Sequence, residues 1–186
     1  VICVGLTLLQ VIGEEPVTVD RARKWARIAD DDDTETVTRL IKSCRAIVEN
    51  IAWRQIVKAR YCQSFDCFAA NMRLYRPPLL SATVQYLGTD GVRHTLDAAR
   101  YVVDIDSEPG RLTPAYGYCW PSTLKQANAV RVEFEAGYAS PSAVPEDLVQ
   151  AILDVLSLKY RGLEIPKQIE NQIAVHRHGA IEVVGS

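Results

Sequence analysis

The chain has 186 residues, is 48% hydrophobic and carries a formal charge of -2, so it can bury a sizeable core but has no global attraction for nucleic acid or an anionic membrane. Binding of either kind would need a local patch. Five cysteines, Cys3, Cys44, Cys62, Cys67 and Cys119, form an odd set with no CxxC pair and no histidine at ligand spacing, which argues for reduced thiols rather than a disulfide framework or a zinc site.

The opening VICVGLTLLQVI is apolar but lacks the positive leading region and small-residue cleavage site of a secretion signal, and it is too short to span a bilayer. Its Val, Ile and Thr content suits an extended arm or edge strand. Such a strand must be covered by a neighbouring element or a neighbouring subunit.

A short helix is predicted next, in EEPVTVDRARKWARIA. Thr18 can cap it, Asp20 lies in its first turn, and Val19, Ala22, Ala26 and Ala29 share one stripe. Its other face carries Arg21, Arg23, Lys24 and Arg27. Four consecutive aspartates follow, Asp30, Asp31, Asp32 and Asp33. Beyond them Val37, Leu40, Ile41, Cys44, Ile47, Val48 and Ile51 recur at three- and four-residue spacing, the pattern of an amphipathic helix of several turns. Asp33 or Thr34 can cap this helix, and acids near its start suit the positive end of the helix dipole. Each such charge contributes only ~0.3–1 kcal/mol, and crowding like charges returns part of it. Capping therefore leaves most of the acidic run without a purpose. The run reads as a solvated helix start, as a partner for the four basic residues before it, or as a surface that repels something acidic.

From Trp53 the texture becomes strand-like in RQIVKARYCQSF, LLSATVQYLG, VRHTL, RYVVDID and AVRVEFEAGY. GTDGV reads as a hairpin turn because Asp90-Gly91 tolerates positive φ. YRPPLLS breaks regular structure, and SEPGRLTP is a turn leading into a short extended piece. A second strong helix is predicted in PSAVPEDLVQAILDVLSLKYRG, with Pro145, Glu146 and Asp147 in its first turn and Gly162 ending it. Leu148, Val149, Ile152, Leu153, Val155, Leu156 and Tyr160 cover more than one stripe, so this helix should be sandwiched. The tail holds Ile165, Ile169, Ile173, Val175 and Ile181 with little else to anchor it, which points to docking on the parent domain or on another chain.

The expected fold is α+β in a single domain. A helical core at 17–52 and 145–162, its long N-terminal-half helix packed on the C-terminal one, encloses an antiparallel β insertion at 53–140, with extended termini, an arm at 1–16 and a tail at 163–186. Nucleophile-elbow, phosphate-loop and dinucleotide-binding motifs are absent from the sequence. His94 and the pair His176 and His178 lack a third ligand nearby, so no metal and no cofactor is expected. Asp104 with Asp106, or Glu133 with Glu135, could serve hydrolysis, yet the same spacing arises on any solvated sheet face. Tyr116, Tyr118 and Trp120 could form a ligand- or carbohydrate-binding platform, or cover a core edge.

Several motifs in order resemble one known family. EEPVTVDRARKWARIADDDDTETVTRLIKSCRAIVENIAWRQIV, then LYRPPLLSATVQYLGTDG, then YVVDIDSEPGRLTPAYGYCWP, then NAVRVEFEAGY and VPEDLVQAILDVLSLKYRG are similar to head-tail connector (head-completion adaptor) proteins of tailed bacteriophages and gene transfer agents. The resemblance spans residues 15–161. It implies a structural protein of the virion neck, at the capsid vertex, rather than an enzyme, assembled in the host cytoplasm. It implies a ring of itself, commonly dodecameric, below the portal protein and facing the next neck or tail component. DNA would pass through that ring without sequence-specific binding, and no membrane is involved. In such a ring the four aspartates would line the channel, since carboxylates repel phosphates where lysines or arginines would hold them. Arg21, Arg23, Lys24 and Arg27 are the alternative partners of those acids across a subunit boundary. Portal or subunit docking would fall on Ile165, Ile169, Ile173, Val175 and Ile181, although this tail matches no pattern of the family.

Overall fold

A computed structural model describes residues 3–29 and 33–177. The fold is α+β, with four α-helices and two antiparallel sheets among the described residues. The chain divides into two compact units, one formed by the segment through Ile12 together with Lys58–Gly137, the other by Gly13–Val57 and the chain from Tyr138 onward.

The β unit contains a five-stranded sheet in the order β1 (Cys3–Val11), β2 (Ala59–Phe65), β8 (Val130–Ala136), β4 (Leu79–Leu87), β5 (Arg93–Thr95). Strict alternation builds it. In β8 the Val, Val, Phe and Ala positions are buried while Arg131 and Glu133 face outward, the signature of a sheet covered on one face. A second sheet, β3 (Met72–Arg73), β7 (Arg111–Pro114) and β6 (Tyr101–Asp104), contributes Met72, Leu112 and Tyr101 to a shared core with Tyr61, Phe65, Val84, Val132 and Phe134. Gln63 is fully buried there, and it donates to the Arg73 carbonyl at 2.8 Å while accepting from Tyr75 N–H at 3.1 Å. Those two bonds satisfy a side chain that burial would otherwise penalise. The β4–β5 hairpin turns at Gly91, whose φ of 78° suits a residue without Cβ. Gly110 is also required sterically, because a Cβ there would lie 2.7 Å from Leu79 Cβ.

The helical unit holds α1 (Val19–Ala26), α2 (Thr34–Ala52), α3 (Glu146–Tyr160) and α4 (Lys167–Ala174). Thr18 caps α1 by accepting from Arg21 N–H, and Asp33 caps α2 by accepting from Thr36 N–H at 3.2 Å. Ala22 and Ala26 of α1, Ile41, Cys44 and Val48 of α2, and Ile152, Leu153 and Leu156 of α3 form one buried cluster. Arg27 and Trp53 close α1 and α2 in the left-handed region, where a residue can satisfy the last helical carbonyls. The tail is not extended throughout as its sequence suggested. Residues 167–174 form α4, whose Ile173 is 1% exposed within the helical cluster.

Candidate assembly interface

Asp30, Asp31 and Asp32 lie outside the described residues. Asp33 is the N-cap of α2, with Oδ2 receiving both the Thr36 N–H and the Thr36 hydroxyl. One of the four acids is thus used for capping. Of the basic residues before them, Arg21 pairs with Glu146 at the start of α3, Arg23 donates to the Thr34 hydroxyl at 3.3 Å, and Arg27 forms the cap of α1. Arg21 is therefore satisfied within its own unit.

The tail divides in the same way. Ile165 and Ile169 pack beside the helical cluster and Ile173 is buried in it, whereas Val175 is 76% exposed. Ile181 lies outside the described residues. Polar contacts fasten the end of α4: Arg177 donates to the Ile51 carbonyl at 2.8 and 3.1 Å, Arg54 to the His176 carbonyl at 3.2 Å, and His176 Nε2 meets Asp147 Oδ2 at 3.0 Å. A cleft of about 220 Å³ opens between α3 and α4, lined by Asp147, Gln150, Asp154, Gln172 and His176 among others. It holds one histidine, and His178 lies outside the described residues. Among the described residues no group of three or more His, Cys, Asp or Glu side chains could hold a metal ion, and no helix is long and apolar enough to cross a membrane.

Of the acids considered for hydrolysis, Glu133 and Glu135 line one shallow pocket with Arg60, Ser81 and Thr83, while Asp104 and Glu135 are held by other partners. Asp104 accepts from Asp106 N–H, Ser107 N–H, Ser107 hydroxyl and Arg111 Nε, and these bonds from Ser107 and Arg111 hold its carboxyl at about 2, below the usual aspartate range. Lys58 at 2.8 Å and Arg60 at 3.5 Å flank Glu135 and pull its carboxyl down. Neither group carries the raised pKa of a general acid. Cys44 is buried, and desolvation pushes its thiol up to about 11, which makes it an inert core residue.

The three aromatic residues do not form one platform. Trp120 stacks on Phe68 with ring centroids 4.7 Å apart, and its indole N–H donates to the Ala69 carbonyl at 2.6 Å. That face of Trp120 is occupied. Tyr116 is fully exposed and Tyr118 half exposed, with the Arg100 guanidinium 5.9 Å from the Tyr118 ring centre. β1 is also uncovered: it pairs with β2 at one edge of the sheet, and Leu8, Leu9, Val11 and Ile12 are each more than a third exposed.

Sequence reasoning passed over a buried charge network in the helical unit. Arg45 and Glu49 are 7% and 6% exposed, and Arg45 bonds both Glu49, at 2.5 Å, and Glu15, at 2.9 Å. Glu49 Oε1 also accepts from Gln55 Nε2 and from the backbone N–H groups of Ile56 and Val57. The signal was present in the four-residue spacing of Arg45 and Glu49, which continues the Val37, Ile41 stripe.

No protein-family model matches the chain, and no curated protein matches it. Solved structures do. A chain in the neck of an empty gene transfer agent (GTA) particle computed with C6 symmetry aligns at TM-score 0.77 and 19% identity, over 98% of this chain and 98% of that one. The fold is that of chains in GTA particles. A chain in the neck of a native GTA particle computed with C12 symmetry aligns at 0.74 and 18%, over 98% of both chains. One from the virion of a native GTA particle gives 0.76 and 18%, over 97% of this chain and 98% of that one.

Proposed function

We propose that this protein is a structural component of a virion neck, a head-tail connector whose copies form a ring between the portal protein and the next neck or tail component. The observation that carries this reading is the end-to-end likeness, over nearly all of both chains, to chains in GTA necks of C6 and C12 symmetry. Rotational symmetry is what a ring of identical subunits displays. The sequence resemblance supports the same reading independently, through motifs spread over residues 15–161.

In that ring the aspartates at 30–33 line the DNA passage. A collar of carboxylates presents negative potential to a polyanion, so DNA slides without being held, and binding with strong salt dependence is avoided. Because Ile173 is occupied within the helical unit, docking on the portal falls to Val175 and the residues after it, including Ile181. The chain acts without a cofactor and without catalysis.

Electron microscopy of the purified protein, alone and mixed with portal assemblies, tests the reading. A rotationally symmetric particle in either sample is the expected result. A protein that stays monomeric in both, or one that turns over a substrate, overturns it.

A further inference from the structure

We propose that the β unit carries both halves of a head-to-tail contact between copies of this chain, with β1 of one copy seated against the tyrosine-bearing face beside β6 of the next. This rests on the ring reading above and names the surfaces that would close the ring.

The first half is β1. Cys3–Val11 contains no charged residue and no proline, although natural edge strands are ordinarily blunted by charges, prolines, bulges or a covering element. Its only blunting features are register shifts between Cys3 and Gly5 and between Leu8 and Gln10. Leu8, Leu9 and Val11 at its end, and Ile12 just beyond it, are 50%, 48%, 41% and 37% exposed, a bare apolar run. Leu6 packs against the core of its own unit, whereas Leu8 and Leu9 stay exposed.

The second half is a fixed aromatic turn. Ala115 N–H donates to the Arg100 carbonyl and Tyr118 N–H to the Ala115 carbonyl, both at 3.0 Å, which ties the turn to the start of β6. The Trp120 stack on Phe68 ties its other end. Tyr116 and Tyr118 are thereby held outward on the turn that follows β7, and Val102 of β6, which pairs with Thr113 of β7, is itself 50% exposed. Tyrosines presented on a rigid turn lose little conformational entropy on docking. The two rings supply on the order of 300 Å² of the ~800 Å² per partner that a stable interface buries.

Charge and symmetry pair these surfaces with each other. An uncharged strand would desolvate a charged partner without compensation. On the tyrosine side Arg100 is already against the Tyr118 ring, and at the far end of the β6–β7 ladder Arg111 meets Asp104 at 2.6 Å. A ring of identical subunits needs two different surfaces that fit one another, whereas pairing β1 with β1 would stop at two copies and leave the tyrosines bare.

The test uses Leu9→Lys and Tyr116→Glu in the full chain, read by mass photometry and analytical ultracentrifugation. Each variant alone should associate at least tenfold more weakly than the parent while unfolding at the parent's temperature. An equimolar mixture should regain association, because an intact β1 on one variant meets an intact tyrosine face on the other. Undiminished assembly of either single variant overturns the contact while leaving the ring reading in place. So does failure of two normally folded variants to recover on mixing. A parent chain that stays monomeric at every concentration and with portal overturns both.

Discussion

Arg45 and Glu49 stand one turn apart on α2, both almost wholly buried, and the guanidinium meets the carboxylate at 2.5 Å. Glu49 Oε1 also accepts from Gln55 Nε2 and from the backbone N–H groups of Ile56 and Val57, the environment of an ionised acceptor. Glu49→Ala should lower stability by ~3–5 kcal/mol, because Arg45 loses the more buried of its two carboxylate partners, keeping only Glu15, and three donors lose their acceptor. Replacing both residues by apolar ones should not rescue it, since the Ile56 and Val57 amides would still be orphaned. Chemical denaturation of Glu49→Ala and of the double variant measures this. A double variant as stable as the parent would contradict it.

Burial raises the Glu49 carboxyl, against the opposing pull of Arg45 and the backbone amides. An acid raised in the folded state binds its proton more tightly there than when unfolded, so its contribution to stability falls as pH rises through and above the ordinary glutamate range. Asp104 has the opposite sign. Hydrogen bonds from Ser107 and Arg111 hold it at about 2, below its usual 3.8, so its contribution is present above the usual value and is lost as pH falls toward 2. Asp104→Asn should therefore flatten the acid limb of the thermal stability profile between about pH 4 and pH 2, a window set by that shift. An acid limb unchanged by the substitution removes Asp104 from the account.

Asp33 allows the cap and the charge of the acidic run to be separated. Asparagine caps helices about as well as aspartate, so neutralising all four aspartates to asparagine should leave the thermal midpoint nearly unchanged. Asp33→Ala alone should cost about 0.5–2 kcal/mol through loss of the Thr36 N–H bond. If the four-asparagine variant forms rings normally but retains or ejects DNA abnormally, the run serves the channel. Failure to form rings assigns it instead to a subunit contact.

Ile173 tests whether α4 belongs to the helical unit in solution. Ile173→Ala removes a fully buried side chain and should cost about 2–5 kcal/mol. Hydrogen exchange in residues 167–174 should accelerate beyond that of α3. Exchange already fast in the parent would show that the helix does not dock there.

Local periodicity is what the sequence made readable. The three- and four-residue spacing of α2 and α3, the alternation in β8 and the Asp90-Gly91 turn each specify an element through neighbours close in the chain. The Asp33 cap was legible for the same reason. Tertiary structure alone decided the rest, because those choices depend on contacts distant in sequence. The 167–174 segment becomes a helix with Ile173 against the α2 and α3 core. β1 joins β2 across more than forty intervening residues of the chain. Trp120 turns inward onto Phe68 while Tyr116 and Tyr118 remain outside. A run of residue types fixes which face of an element is apolar. It takes the folded chain to determine whether that face finds cover at home or is left for another copy.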